Sequence, residues 1–321
     1  MTNVLVVLTF PPLIRERYAN HLRAAFPNIK VDLVDRHDKV DPFIGEADAL
    51  VTFGPMMSDH VFAKARKLQW VQALGSGVDG IADQPSFRRG TLLTNIRGIH
   101  GAPVAEAAVA SMLSLARDIP RSVRNQDAHV WERWPSRLLS GKTVVIVGVG
   151  LIAEALAPLC KAFGMRVIGV TGAPRALPGF DSMAPTEALR DTLGLADHVV
   201  LLAPHTPKNH RMIDASALAA MKRGAFLINL ARGGVLDEGA LIAALNSGHV
   251  AGAALDVFDT EPLPSDHPFF GMKNVFMTAH LGGFNVEYPD QCLPIVEENM
   301  RRFLAGDFGS MINLVNTRDI P

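Results

Sequence analysis

Short apolar runs alternate with helical stretches along this chain, and the alternation stops once and then restarts. In the N-terminal part the runs are Val4 to Leu8, Ile29 to Val34, Ala49 to Phe53, Trp70 to Leu74 and Leu92 to Asn95. Strands separated by helices cannot pair as hairpins, so they build a parallel sheet covered on its faces. From Lys142 a second series begins: Thr143 to Val147, Arg166 to Val170, His198 to Leu202, Ala225 to Leu230, Gly252 to Leu255 and Val275 to Thr278. Its first strand runs into Gly148-Val149-Gly150-Leu151-Ile152-Ala153, which opens a helix with Ile152, Leu156, Leu159 and Phe163 at helical spacing. The reading is α/β, with two doubly wound parallel-sheet domains.

Between the two series lies Pro103 to Arg117, apolar on nearly every side, which predicts a helix buried between domains or subunits with proline at its first position. Residues 118–140 are more polar and contain Trp131 and Trp134. In the second series Asp214 is placed to cap a helix that Gly224 ends. Pro289 to Gly306 reads as a last helix, and its position leaves open which domain it packs on.

A length of 321 residues suits two domains, and 48% hydrophobic with 20% charged residues describes an ordinary globular chain. A net charge of −1 without a Lys/Arg run argues against a nucleic-acid surface and for a small partner. Cys160 and Cys292 stand far apart with neither metal-ligand spacing nor a disulfide framework, and are read as reduced structural thiols. Met1 to Phe10 has no basic leader, and residues 102–116 are too short to span a bilayer and include Glu106. The expectation is a soluble, cytoplasmic protein without a metal.

The glycine loop is suited to a dinucleotide. Gly148 permits the tight turn, Gly150 lets backbone approach a pyrophosphate, and Ala153 stands where close helix packing needs a small residue. About twenty residues beyond the first glycine, an acidic side chain would select NAD by binding the ribose hydroxyl. This chain instead reads Val170-Thr171-Gly172-Ala173-Pro174-Arg175. Thr171 can hydrogen-bond a phosphate and Arg175 can pair with one, so the expected cofactor is NADP(H), with NAD the alternative.

Downstream stand a cation, a carboxylate and an imidazole: Arg232, Glu261 and His280. Reduction of a 2-oxo acid needs this set. The guanidinium holds the carboxylate and polarises the carbonyl, and an imidazole whose charged form is favoured by an acid delivers the proton. Gly75-Ser76-Gly77 forms a loop after a strand whose amides can make an anion nest.

The order of these pieces resembles the D-isomer-specific 2-hydroxyacid dehydrogenase family over nearly the whole chain. The resemblance is carried by Gly75-Ser76-Gly77-Val78-Asp79, Pro103-Val104-Ala105-Glu106, residues 148–153, Ile228-Asn229-Leu230-Ala231-Arg232-Gly233-Gly234, Leu255-Asp256-Val257-Phe258-Asp259-Thr260-Glu261-Pro262 and Thr278-Ala279-His280-Leu281-Gly282-Gly283. It implies a Rossmann nucleotide domain, residues 100–286, inserted in a flavodoxin-like catalytic domain made of 1–99 plus 287–321, with the active site in the cleft and a homodimer built through the nucleotide domain. It also implies that the amides of Ser76, Gly77 and Val78 bind the substrate carboxylate with Arg232, and that Gly148, Gly150, Leu151, Ile152, Pro204, Thr206, Ala231, Asp256 and Gly283 contact the cofactor. Asp256 would accept from the nicotinamide carboxamide.

Within the family, Glu261 argues against formate oxidation, where an amide partners the histidine, and Ala279 replaces the usual proline. The expected activity is reduction of small 2-oxo acids of the glyoxylate or hydroxypyruvate kind. A phosphoglycerate-type dehydrogenase and, more remotely, a dinucleotide-sensing corepressor are the rivals. His100 reads as a solvated hinge residue, Met56 and Leu74 as pocket-lining positions, and Trp131 or Trp134 as reaching a partner's pocket or packing a dimer arm.

Overall fold

In the computed structural model, which describes residues 1–54 and 57–316, the chain forms two compact units. One comprises Met1–Ile99 together with the chain from Val286 onward, and the other is His100–Asn285.

The first unit runs β1 (Asn3–Val7), α1 (Pro12–Ala25), β2 (Lys30–Val34), α2 (Asp41–Ile44), β3 (Ala49–Thr52), α3 (Asp59–Lys64), β4 (Trp70–Ala73) and β5 (Leu92–Thr94). All five strands are parallel, in the order β2-β1-β3-β4-β5, which is the flavodoxin-like winding. β3 and β4 are buried on both faces, as expected when helices cover a parallel sheet on both sides. Leu5, Val7, Leu50, Val71 and Leu93 meet Ile44, Val61 and Phe62 in one apolar cluster.

The second unit starts with α4 (Gly101–Arg117), where Pro103 sits in the first turn, two places inside the helix start, and its missing N–H costs no helical bond. Then follow α5 (Ile119–Asp127), β6 (Thr143–Val147), α6 (Leu151–Ala162), β7 (Arg166–Thr171), β8 (Ser182–Pro185), α7 (Leu189–Leu193), β9 (His198–Leu201), α8 (Ala215–Ala220), β10 (Ala225–Asn229), α9 (Glu238–Asn246), β11 (Val250–Leu255) and β12 (Val275–Met277). The sheet order is β12-β11-β10-β9-β6-β7-β8, the dinucleotide-fold winding extended by one strand at its far edge. Alternate residues of β6 point to opposite faces: Val145 and Val147 join a core with α8 and α9, while Val144 and Ile146 join one with α4 and α6.

The sequence pattern had no signal for β8. It is an edge strand whose residues are half-buried or exposed, so apolar alternation does not mark it. Asp214 does cap α8, accepting from the Ala217 amide at 2.8 Å. That helix ends at Ala220, however, and Gly224 (φ +82°) turns the chain into β10 rather than closing the helix.

The last helix, α10 (Tyr288–Ala305), returns to the first unit. Its Asn299 is fully buried and donates to Gln72 Oε1 of β4 at 2.9 Å, while Gln72 also accepts from Thr94 Oγ1 at 2.8 Å. Thr94 in turn accepts from Trp70 Nε1 at 2.9 Å, and the Trp70 and Phe303 rings lie 5.2 Å apart. A buried polar network of this kind is stabilising only when every member is satisfied, which fixes where the helix lies. After it, the Val315 amide donates to the Leu93 carbonyl at 2.8 Å, tying the returning chain to β5.

Among the described residues no helix is long and apolar enough to cross a membrane, and no group of three potential ligands could hold a metal ion. Cys160 and Cys292 are free and buried, and burial pushes both thiols up to about 12, which makes them inert.

Candidate active site

In open α/β sheets the strand order reverses at a switch point, and ligands gather outside the carboxyl ends there. In the His100–Asn285 unit this point lies between β6 and β9. The loop after β6 crosses directly over the end of β9: Gly148 has φ +95°, and a β-carbon on it would lie 2.3 Å from the Ala203 amide nitrogen. Only glycine fits. Gly150 differs, since a β-carbon there would meet nothing within 4 Å. It opens α6 without a side-chain cap, so no capping side chain occupies the helix N-terminus at Leu151 and Ile152. Ala153 is fully buried behind them. These features fit a dinucleotide pyrophosphate.

Thr171 ends β7, and Gly172 to Arg175 are exposed. The Arg175 guanidinium pairs with Glu154 Oε1 of α6 at 3.1 Å, a partner that sequence reading did not assign to it. Both side chains are substantially exposed, so the pair is weakly held. Pro204 and Thr206 lie in a loop knitted by Asn209, which donates to the Pro204 carbonyl at 2.6 Å and accepts from the Thr206 amide at 2.6 Å and its hydroxyl at 3.0 Å.

Arg232 follows β10, and its turn is built from Asn229, a fully buried side chain at the strand end. Asn229 accepts from the Ala231 amide at 3.1 Å and donates to the Arg232 carbonyl at 3.2 Å. On the other side the turn rests on the peptide after β11, because a β-carbon on Gly233 would lie 2.0 Å from the carbonyl carbon of Phe258. The glycine after Arg232 therefore brings two strand-end loops together.

Glu261 lies on the second of those loops. Its Oε1 accepts from the Phe258 amide at 3.0 Å, and its Oε2 lies 2.7 Å from His280 Nδ1. Burial alone would push this carboxyl up, but the bond from His280, the histidine's charge, the Phe258 amide and the Arg232 charge together hold it below the usual carboxylate range. Glu261 is thus ionised and accepts from His280 Nδ1–H, which puts a ring proton on Nδ1.

The loop carrying His280 is organised by Asp256. This carboxylate is 3% exposed and takes the Thr278 hydroxyl at 2.5 Å, the Leu281 amide at 2.7 Å and the Gly282 amide at 2.9 Å. The His280 amide donates to the Asp256 carbonyl at 2.8 Å. His280 itself has φ +54°, a left-handed conformation costly for a side chain with a β-carbon and maintained here by the bonds around it. Asp256 was read as a cofactor contact alone; three internal donors make it first the anchor of this loop.

His100 is not a solvated hinge residue. It is half-buried at the N-terminus of α4, with its ring against Gly283, and burial followed by the Arg232 charge pushes it down to about 4, so it is neutral near pH 7. The remaining readings concern the other unit or the polar segment. Ser76, Gly77 and Val78 follow β4 in the first unit, where Asn95 Nδ2 donates to the Ser76 carbonyl at 2.6 Å. Leu74 is fully buried, and its carbonyl accepts from the Tyr288 hydroxyl. Met56 lies outside the described residues. Trp134 stacks under the Arg121 guanidinium of its own chain at 4.5 Å, whereas Trp131 is 96% exposed.

A dinucleotide-type glycine turn at the switch point, with an imidazole–carboxylate pair beside an arginine on neighbouring strand ends, defines a nucleotide-linked oxidoreductase class of site. Residues 109–282 match the family model for the D-isomer specific 2-hydroxyacid dehydrogenase NAD binding domain, and the chain belongs to that family. It is 37% identical over 308 residues to D-3-phosphoglycerate dehydrogenase of Mycobacterium leprae, covering 92% of this chain and 57% of the relative. The chain thus spans little more than half the length of that relative. It is 33% identical to glyoxylate reductase of Pyrococcus horikoshii, with 82% of each covered. Among solved structures, a D-isomer specific 2-hydroxyacid dehydrogenase from Xanthobacter autotrophicus in complex with NADPH and MES superposes with a TM-score of 0.80 at 33% identity, covering 99% of both chains.

Proposed function

We propose that this chain is a cytoplasmic, homodimeric 2-hydroxyacid dehydrogenase that works mainly as an NADP(H)-linked reductase of small 2-oxo acids of the glyoxylate or hydroxypyruvate kind. The observation that carries the reading is the Glu261–His280 pair at 2.7 Å, with Arg232 close enough for its charge to act on Glu261. When bound, the nicotinamide cofactor supplies the hydride. Arg232 clamps the substrate carboxylate and polarises the 2-carbonyl, and His280 Nε2 gives its proton to the carbonyl oxygen. Glu261 holds the ring through Nδ1. In the reverse direction neutral His280 takes the hydroxyl proton. The amides of Ser76, Gly77 and Val78 are assigned to the substrate carboxylate.

Leu151, Ile152, Pro204, Thr206, Ala231, Asp256 and Gly283 are assigned to the cofactor with the fingerprint glycines. Preference for NADP(H) is supported by the lack of a carboxylate from Thr171 to Arg175. Arg175 would exchange its exposed Glu154 partner for the 2′-phosphate, and the Xanthobacter relative was solved with NADPH. Dimerisation is supported by Ile119, Val123, Val130, Trp131 and Leu138, all of them exposed apolar residues within one segment. A concavity of about 850 Å³ beside them is lined by Arg121, Trp134 and Phe276. Two buried free thiols suit a reducing compartment.

A phosphoglycerate-type, NAD-linked activity is the second reading, favoured by the identity to the mycobacterial relative. Initial rates of NADPH and NADH oxidation with glyoxylate, hydroxypyruvate, pyruvate and phenylpyruvate test the proposal, with 3-phosphoglycerate and NAD in the reverse assay. Faster turnover of the smallest acids with NADPH is the expected result. Preference for NADH removes the 2′-phosphate argument, 3-phosphoglycerate oxidation selects the second reading, and no turnover overturns the reductase assignment.

A further inference from the structure

Behind the acid–base pair lies a second carboxylate–imidazole pair that the reaction does not use. Glu238 is the first residue of α9, yet its side chain turns away from the helix amides, which Asp237 caps through Ala240 at 2.9 Å. Glu238 Oε1 instead accepts from the Asp259 amide at 2.9 Å, and Oε2 lies 3.5 Å from His267 Nε2. His267 Nδ1 accepts from the Phe269 amide at 3.3 Å, which places the ring proton on Nε2, pointing at Glu238. The ring also packs on Phe269 at 4.7 Å, and the Glu238 and His267 side chains are only 14% and 19% exposed. Burial is the largest influence on Glu238 and leaves its carboxyl above the usual range, although the Asp259 amide, His267 and Arg211 oppose that rise.

The bond to Asp259 matters because of its neighbour. One residue earlier, the Phe258 amide donates to Glu261 Oε1, the contact that turns the other Glu261 oxygen toward His280. Two adjacent amides are therefore held by two different carboxylates, and the carbonyl carbon between them rests on Gly233 of the Arg232 turn. The two amides lie on consecutive peptide planes hinged at the Phe258 Cα, and with the Phe258 carbonyl carbon against Gly233 as well, holding Asp259 N restrains the direction of Phe258 N.

We infer that Glu238, supported by His267, is a positioning residue: it holds the Phe258–Asp259 peptide and so restrains the adjoining Phe258 amide from which Glu261 is aimed at His280. This rests on the dehydrogenase reading above. Glu238 touches neither substrate nor cofactor in this role, so its loss lowers the rate of proton transfer and leaves binding largely intact. Misplacing a catalytic group by about 1 Å costs on the order of 100-fold in rate.

The test compares E238A and E238Q with wild type, using the 2-oxo acid that wild type turns over. E238A is expected to lower kcat about 10- to 100-fold while KM and the Kd for NADPH stay within about 3-fold. E238Q recovers most of the rate, because its amide oxygen still accepts from Asp259 N. A second readout needs no turnover: in histidine-labelled protein, the low-field Nδ1 proton of His280 bonded to Glu261 is assigned by its absence in H280N. It is expected in wild type and E238Q, and lost or moved upfield in E238A. H267N is an intermediate variant should E238A fail to fold, with a smaller displacement of the same resonance. An unchanged resonance and kcat in E238A, or equal loss of kcat, KM and Tm in E238A and E238Q, overturns the inference. If wild type reduces no 2-oxo acid the dehydrogenase reading fails, while the resonance still decides what Glu238 does.

Discussion

The two parallel-sheet units present their strand-end loops by different means. After β4 in the first unit, the Gly75–Val78 loop is mostly backbone, steadied by a side-chain bond from Asn95 to the Ser76 carbonyl. After β10, β11 and β12 in the second unit, buried and half-buried side chains tie each loop to itself and to the next. Asn229 holds the Arg232 turn, Glu238 and Glu261 hold consecutive amides at 258 and 259, and Asp256 takes three donors from the His280 loop. A carboxylate-binding nest needs only amides pointing the same way. A proton-transfer pair needs two side chains held at hydrogen-bond distance against thermal motion, and such precision comes from redundant bonds. On the proposed assignment, binding falls to a lightly braced loop and chemistry to a heavily braced set.

The comparison predicts where substitutions act. The largest effect is expected from His280→Ala, which removes the proton donor and lowers kcat by roughly 10²- to 10⁴-fold. NADPH affinity by fluorescence titration should stay near wild type; a mutant with wild-type turnover breaks the assignment. Next is Asp256→Ala, which removes a carboxylate that is 3% exposed and takes away the acceptor of the Thr278 hydroxyl and of the Leu281 and Gly282 amides. About 3 kcal/mol of stability should be lost in urea melts together with most of kcat, since each of the three lost bonds to a charged acceptor is worth on the order of 1 kcal/mol.

A third effect separates fold from site. His198 on β9 is 2% exposed, and burial, far outweighing the Asp197 charge, pushes it from 6.5 down to about 4. Because the folded value is depressed, the neutral form stabilises the fold fully above about pH 6.5, and that contribution disappears as pH falls toward 4. Its size is about 3 kcal/mol, taking about 1.4 kcal/mol for each pH unit of the difference. His198→Phe, which keeps a ring against Phe226, should flatten the decline of Tm over this window. A decline as steep as wild type would assign the acid sensitivity elsewhere.

The smallest effect belongs to the lightly braced loop. Asn95→Ala removes one bond, worth about 1 kcal/mol, and is expected to raise KM for the oxo acid about 5-fold with kcat nearly unchanged. A fall in kcat instead of a rise in KM would contradict the division between the units.

Much of this was legible from residue order. Apolar runs of four to six residues marked eleven of the strands, because a doubly covered parallel sheet demands continuous apolar segments. The glycine fingerprint was legible because Gly148 and Gly150 have mechanical reasons to lack side chains. Arg232, Glu261 and His280 were singled out as residue types that complete one reaction, and the structure brings Glu261 and His280 to 2.7 Å. The edge strand β8 was missed because nothing apolar covers it fully. Asn229, Glu238 and the anchoring role of Asp256 carried no sequence signal either: an Asn, a Glu and an Asp near strand ends are common, and only their partners distinguish them.

Local chemistry thus determined the strands, the fingerprint turn and the choice of candidate reacting groups, since these depend on spacing within a few residues and on side-chain type. Tertiary structure decided where α10 returns, through Asn299 meeting Gln72 across 227 positions of chain. It also decided that His100 is half-buried and neutral, that Arg175 rests on Glu154, and that Glu238 reaches Asp259. Each depends on which distant groups exclude water together, and spacing along the chain does not record that.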